Sequence, residues 1–245
     1  MKNLFKINIF TYIFLILSML SGFFREIILI FFILVVHEMG HFFLMKLNLI
    51  EIKSITIYPY GGMIKSNMLI NTNSLKVLII SLGGILSQLM LWLIFFISYK
   101  VGIIDLSFYN IFFKYNISII IFNLIPIYPL DGFKILNSFF ELIFSFKKSL
   151  YISFIISIVC LLFFIFYLYL FKISNYVIVI FLIISLIEYL KSFKYLINKF
   201  YIERIIYDIN YKGLKSVKSL NDLKKNNFNY INGIGEKVYL EKFYR

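Results

Sequence analysis

Residues 37–41 read His-Glu-Met-Gly-His, an H-E-x-x-H array holding the only two histidines of the 245-residue chain. On a helix, residues four apart lie one turn above each other on the same face, so His37 and His41 can aim ring nitrogens at one metal ion. Glu38 stands about 100° around the same turn, where a carboxylate reaches water at the metal rather than the metal itself. Gly40 removes bulk beside the pair. The array falls inside an apolar stretch, and a carboxylate in hydrocarbon costs roughly 2.5–3.5 kcal/mol even on the mildest insertion scale. Histidines that only hydrogen-bond to neighbours would leave that cost unexplained, so the array reads as functional.

A catalytic zinc usually takes three protein ligands and keeps a fourth position for water. The third ligand must therefore come from another segment. The candidate is Asp131, in Asn123-Leu-Ile-Pro126-Ile-Tyr-Pro129-Leu-Asp131-Gly132. The two prolines break a helix there and Gly132 permits an unusual turn, so the chain can bend inward and present the carboxylate. Non-helical backbone at membrane depth is tolerated where protein buries it or a water cavity lines it. An ordinary cap or turn aspartate is the alternative, and the histidine pair weighs against it.

Such residues need a membrane-embedded scaffold. The sequence is 61% hydrophobic and 15% charged, against about 25% charged in a soluble domain. Several uncharged runs reach the ~20 residues a helix needs to cross hydrocarbon. This composition excludes a cytosolic enzyme, a nucleic-acid-binding domain and a secreted disulfide scaffold; the one cysteine, Cys160, has no partner for an intramolecular bridge. Six spans are expected, at about 7–24, 27–46, 77–99, 111–130, 149–171 and 173–190, the fourth interrupted near its end by Pro126 and Pro129. The expected fold is an all-α polytopic membrane domain over 1–190, with a small β-hairpin-like segment after the second span, and a short basic cytoplasmic tail over 191–245. With the N-terminus inside, the inner segments hold all lysines and arginines except Arg25, Lys100, Lys114 and Lys172. Positive residues stay on the cytoplasmic side, so both termini are expected there. The net charge of +13 thus reads as orientation, with attraction to anionic lipid second, rather than as a nucleic-acid partner. The first run, with no A-x-A-like site after it, is expected to be retained as a span. Spans two and four then run in the same direction, with both motifs in their inner halves.

Two further segments carry pattern. In 49–65, Ile50 and Ile52, then Ile55 and Ile57, give short runs of period two, followed by a Gly61-Gly62 turn. The strand edge of such a hairpin could hold an extended substrate by main-chain hydrogen bonds, an interfacial connector being the alternative. In the tail, Ile202, Ile205, Ile206 and Ile209 fall at helical spacing, so part of it is expected to be ordered, although it is short for an independent core.

Together these motifs resemble the site-2 protease group of intramembrane zinc metalloproteases. The resemblance rests on HEMGH at 37–41, on N-x-x-P-x-x-x-x-D-G from Asn123 to Gly132, and on their placement on spans two and four of six. It covers about residues 1–190. Within the group the chain looks most like the sporulation branch, which processes a membrane-associated pro-sigma factor. The resemblance implies His37, His41 and Asp131 as ligands of one Zn2+ per chain, with Glu38 as catalytic base. It implies that Asn123 positions substrate or stabilises the developing oxyanion. It also implies a multi-pass protein of a bacterial cell membrane, a membrane-tethered substrate and inhibitory membrane partners. There are two departures. The third span has Gly83-Gly84-Ile85-Leu86-Ser87-Gln88 where relatives often carry Gly-Pro with a following Asn, so helix packing there is expected to differ. Branch members often end in a nucleotide-sensing CBS module, for which this tail is too short in paired form. Two other functions stay open: a CAAX-type membrane metalloprotease completed by a later glutamate, Glu141 or Glu188, and a non-enzymatic metal-transit protein.

Overall fold

The apolar runs fold as helices bounded by polar and proline-containing turns. The computed structural model describes residues 5–9, 11, 12, 22, 24–58, 61–171, 176–207, 209, 211 and 213–244. Its long helices are α1 (Phe24–Leu47), α2 (Ser74–Lys100), α3 (Leu106–Leu124), α4 (Asp131–Ile143), α5 (Phe146–Leu170) and α6 (Tyr176–Ile206). Four of them, α1, α2, α5 and α6, are long and apolar enough to cross a membrane. The expected first span, 7–24, lies largely outside the described residues. The expected fourth span is α3, which has 19 residues, carries Asn110, Lys114, Asn116 and Asn123, and is not among those four. It stops at Leu124 rather than reaching 130, because the residue before a proline is pushed out of the helical region and Pro126 is followed by Pro129. The sixth helix runs the other way from expectation, 16 residues beyond 190, through the Ile202, Ile205 and Ile206 pattern.

The chain packs as two units, residues 1–68 with 79–122, and residues 69–78 with 123–245. In the first, α1 buries Leu29, Ile33, His37 and His41, which are spaced by four and so form one stripe. Ile33 and Phe112 are fully buried and pack with Leu29 and Leu91, and Phe95 stacks on Phe112 at 3.8 Å. Other faces of α1 expose Ile28, Phe32, Met39 and Phe43, the pattern of a helix surrounded by lipid. A Cβ on Gly40 would lie 2.1 Å from the Gly83 carbonyl oxygen. The backbones of α1 and α2 therefore touch at a pair of small residues, a packing mode suited to lipid.

The segment after α1 forms β2 (Ile52–Tyr58) and β3 (Gly61–Ser66), antiparallel, and β1 (Phe5–Ile7) adds to β2 in parallel. The sheet thus has three strands in the order β1-β2-β3 where two were expected. The isoleucine pattern changes parity between Ile52 and Ile55, and there the register shifts by a β-bulge. Gly61 and Gly62 are not a turn. They pair with Tyr58 and Ile57 as strand residues.

In the second unit, a core of Phe133, Phe146, Leu150, Tyr189, Phe193, Phe200 and Tyr201 also takes in Leu223, Ile231 and Leu240. Those last three belong to the tail, which forms β4 (Leu214–Val217), a 3-10 turn (Leu220–Asp222), β5 (Phe228–Ile231), β6 (Ile234–Gly235) and α7 (Glu236–Tyr244). Its strands run β4-β5-β6, the first pair parallel and the second antiparallel. The architecture is mostly helical with two small sheets, a second difference from the all-α expectation. Buried charges close the tail onto the helices. Arg204, with no exposed side chain, pairs with Glu236 and donates to Asn71 Oδ1 (2.8 Å) and to the carbonyls of Lys224 (2.9 Å) and Lys225 (2.7 Å). Lys225 pairs at 2.7 Å with buried Glu141, which also accepts from Ser74 Oγ at 3.0 Å. Burying such charges is tolerable because each is paired and hydrogen-bonded.

Candidate metal centre

His37 and His41 lie on the buried stripe of α1, 3% and 7% exposed. His37 Nδ1 is 2.9 Å from Gln88 Oε1, and His41 Nδ1 is 2.8 Å from the Ile80 carbonyl oxygen, both on α2. Carbonyl oxygens only accept, so each Nδ1 carries the proton and each Nε2 presents a lone pair. Those two Nε2 atoms face each other at 3.1 Å. Two lone pairs at that distance repel unless a cation lies between them. Nitrogens bound at ~2.0–2.1 Å to one tetrahedral zinc would stand about 3.3–3.4 Å apart, close to the observed separation. The donor set therefore fits a metal ion, and the Nδ1 partners set tautomer and ring orientation as outer-shell acceptors do in metal sites.

Close backbone approach on α2 supports this arrangement. A Cβ on Gly84 would fall 2.3 Å from His37 Cε1 and 2.4 Å from its Nε2, so the ring occupies the space a side chain would need. Gln88, fully buried, is steered in turn by Asn116: its Nε2 donates to Asn116 Oδ1 at 3.4 Å, and Asn116 Nδ2 donates to the Gln88 carbonyl at 3.3 Å. The Gly-Gly and Gln of the third span are the positions noted as departures; Gly84 and Gln88 touch His37, and Gly83 packs on Gly40.

Glu38 Oε1 accepts the Gly62 N–H at 3.0 Å. A Cβ on Gly62 would lie 2.5 Å from Glu38 Cγ, which explains a glycine inside strand β3. Because alternate residues of an antiparallel strand turn their main-chain groups away from the partner, and Gly62 turns its N–H to Glu38, Ile64 shares that outward orientation.

In the second unit, Asp131 is the first residue of α4, 5% exposed, and its Oδ1 accepts from Lys134 Nζ at 2.9 Å. A carboxylate in a first helical turn is also favoured by the helix dipole. The turn before it contains a cis Tyr128–Pro129 bond, and Ser157 Oγ donates to the Pro126 carbonyl at 2.8 Å. A Cβ on Gly132 would sit 2.2 Å from the Leu124 carbonyl oxygen. Gly132 is thus required by close packing against the end of α3, and its φ lies outside the left-handed region, contrary to the unusual turn expected there. Asn123 stands partly buried in the last turn of α3. Of the glutamates open to the CAAX-type alternative, Glu141 is committed to Lys225, Ser74 and Asn137, and Glu188 is on an exposed position of α6.

Sequence reasoning did not find Gln88, Gly84, the Ile80 carbonyl or Gly62 as site components. An amide and two glycines inside an apolar run are a signal for the first two. The carbonyl carries none.

Known proteins are similar to this chain in sequence and in fold. The model of Peptidase family M50 matches residues 25–105 and 98–168. Stage IV sporulation protein FB of Bacillus subtilis (strain 168) is 28% identical over 204 residues, covering 81% of this chain and 71% of that protein. The solved structure of the site-2 protease from Methanocaldococcus jannaschii superposes with a TM-score of 0.56 at 23% identity, covering 75% of this chain and 89% of that one, a likeness of fold. The family match takes in both the H-E-x-x-H helix and the proline turn before Asp131, and through it the chain is a member of peptidase family M50, the site-2 protease family of intramembrane metalloproteases.

Proposed function

We propose that this chain hydrolyses a peptide bond of a membrane-tethered protein near the cytoplasmic face, with His37, His41 and Asp131 holding one zinc. The observation that carries the reading is the facing Nε2 pair at 3.1 Å, with both Nδ1 atoms tied to oxygen acceptors. Zinc held there would supply a Lewis acid that lowers the pKa of water to about 7 and polarises the scissile carbonyl. Glu38 takes the proton of the attacking water and passes it to the leaving amine. The Gly62 N–H fixes one Glu38 oxygen and leaves the carboxylate one orientation for that task. Burial of both imidazoles excludes bulk water from the ring face of α1. An extended substrate segment adds to β3 through the main chain of Ile64 and the carbonyl of Gly62, the Gly62 N–H being held by Glu38. This requires local unwinding of a helical substrate, since a helix hides its own peptide bonds. Asn123 is assigned to substrate positioning or oxyanion stabilisation.

Likeness to stage IV sporulation protein FB supports a role in sporulation; the substrate proposed is a regulatory precursor such as a pro-sigma factor, with membrane protein inhibitors as partners, and the lysine distribution supports a multi-pass protein of a bacterial membrane with both termini inside. The test is Glu38→Gln, purified and reconstituted with that class of substrate. It should retain zinc and lose cleavage by about 10²–10⁴-fold. Undiminished cleavage would dispose of the role given to Glu38.

A further inference from the structure

Between the start of α5 and the middle of α6 lies a cavity of about 450 Å³ whose rim includes Lys147, Lys191 and Lys194 and whose wall includes Tyr151, Leu190 and Phe193. We infer that this cavity binds the phosphate headgroup of an anionic phospholipid. Three observations lead there.

The first is position. The uncharged run of α6 ends at Ile187, before Glu188, and that of α5 begins at Ser149, so the lysines stand just beyond the hydrocarbon-matching part of each helix. Basic pockets between spans at that level suit anionic headgroups. The second is charge. α5 opens with Lys147 and Lys148 and has no acidic residue in its first turn, although a helix N-terminus disfavours cations. Lys148 is answered by Asp222 at 3.0 Å, but Lys147 meets only the neutral Asn221 amide at 2.8 Å. Among the described residues, Lys191 and Lys194 have no ion-pair or hydrogen-bond partner, Glu188 one turn away included. The third is rigidity. Phe193 is 6% exposed and is held edge-on by Tyr151 (5.3 Å), Phe154 (5.3 Å) and Tyr189 (5.0 Å). The apolar wall is therefore preformed beside a cationic rim, which matches a phosphate with an acyl chain attached.

The experiment is native mass spectrometry of the full-length protein in detergent, titrated with phosphatidylglycerol or phosphatidylcholine. Phosphatidylglycerol should bind in preference. The double variant Lys191→Gln/Lys194→Gln should weaken its binding by about 30-fold, at about fivefold per surface lysine, while Lys191→Arg/Lys194→Arg retains it. The equal charge change Lys215→Gln/Lys218→Gln, on the tail, should leave binding unchanged. Equal binding of phosphatidylcholine, or equal loss from the tail variant, would overturn the assignment. Displacement of the lipid by millimolar inorganic phosphate, or by an acidic peptide, would overturn it as well, by giving the cavity to a free anion or a protein segment.

Discussion

Replacing Gly84 with alanine presses one methyl group onto the face of the His37 ring. The new Cβ would stand 2.3 Å from Cε1 and 2.4 Å from Nε2, whereas carbon contacts are comfortable only from ~3.5 Å. The ring must recede by about 1 Å, because α2 cannot back away without opening the Gly40–Gly83 contact and the His41 bond to the Ile80 carbonyl. Metal–ligand distances tolerate only about ±0.2 Å. A misplacement of ~1 Å is worth about 10²-fold in rate, or about 2.7 kcal/mol of transition-state stabilisation. Zinc content of the purified protein and kcat/KM in liposomes should fall together, with helical content by circular dichroism unchanged. Wild-type zinc affinity and turnover in Gly84→Ala would refute the claim that this glycine makes room for a ligand.

Other expectations follow from single contacts. Gln88→Leu removes the acceptor of His37 Nδ1 at 2.9 Å and should cost about 10–100-fold in zinc affinity, read by competition with a chromophoric chelator. Gly62→Ala drives a methyl into Glu38 Cγ; kcat should fall while bound zinc stays at the wild-type level. Arg204→Ala leaves buried Glu236 uncompensated and should destabilise the second unit by about 3–5 kcal/mol, seen as a lower Tm in detergent.

How much of this was legible beforehand depends on whether a feature is local. H-E-x-x-H spacing on an apolar helix is dictated within a few residues and lies where it was expected; the end of α3 before Pro126 is equally local, yet the span was expected to run on to 130 through both prolines. The slip in the Ile52–Ile55 pattern is likewise local and became a bulge. The partners of the imidazoles are tertiary. Gln88 reaches His37 only because Gly40 and Gly83 let two backbones touch, and a carbonyl such as that of Ile80 leaves no trace in composition. Gly61-Gly62 looked like a turn because glycine serves turns and close approaches alike, and only the Glu38 side chain tells which applies. α4 went unseen because the proline turn hid its start. The tail gave an Asn- and Lys-rich pattern, and its order comes from Arg204 and Lys225, whose acidic partners lie far off in sequence.

The proposed hydrolysis requires one zinc shared by a histidine pair and a distant aspartate, so metal content tests it without a substrate. Zinc per chain should be determined by elemental analysis on protein purified in parallel as wild type, His41→Ala and Asp131→Asn. Wild type should carry one equivalent and both variants should lose most of it on mild dialysis. Full retention of zinc by Asp131→Asn, with His41→Ala depleted, would contradict Asp131 as a ligand and leave the imidazole pair to be completed by another group.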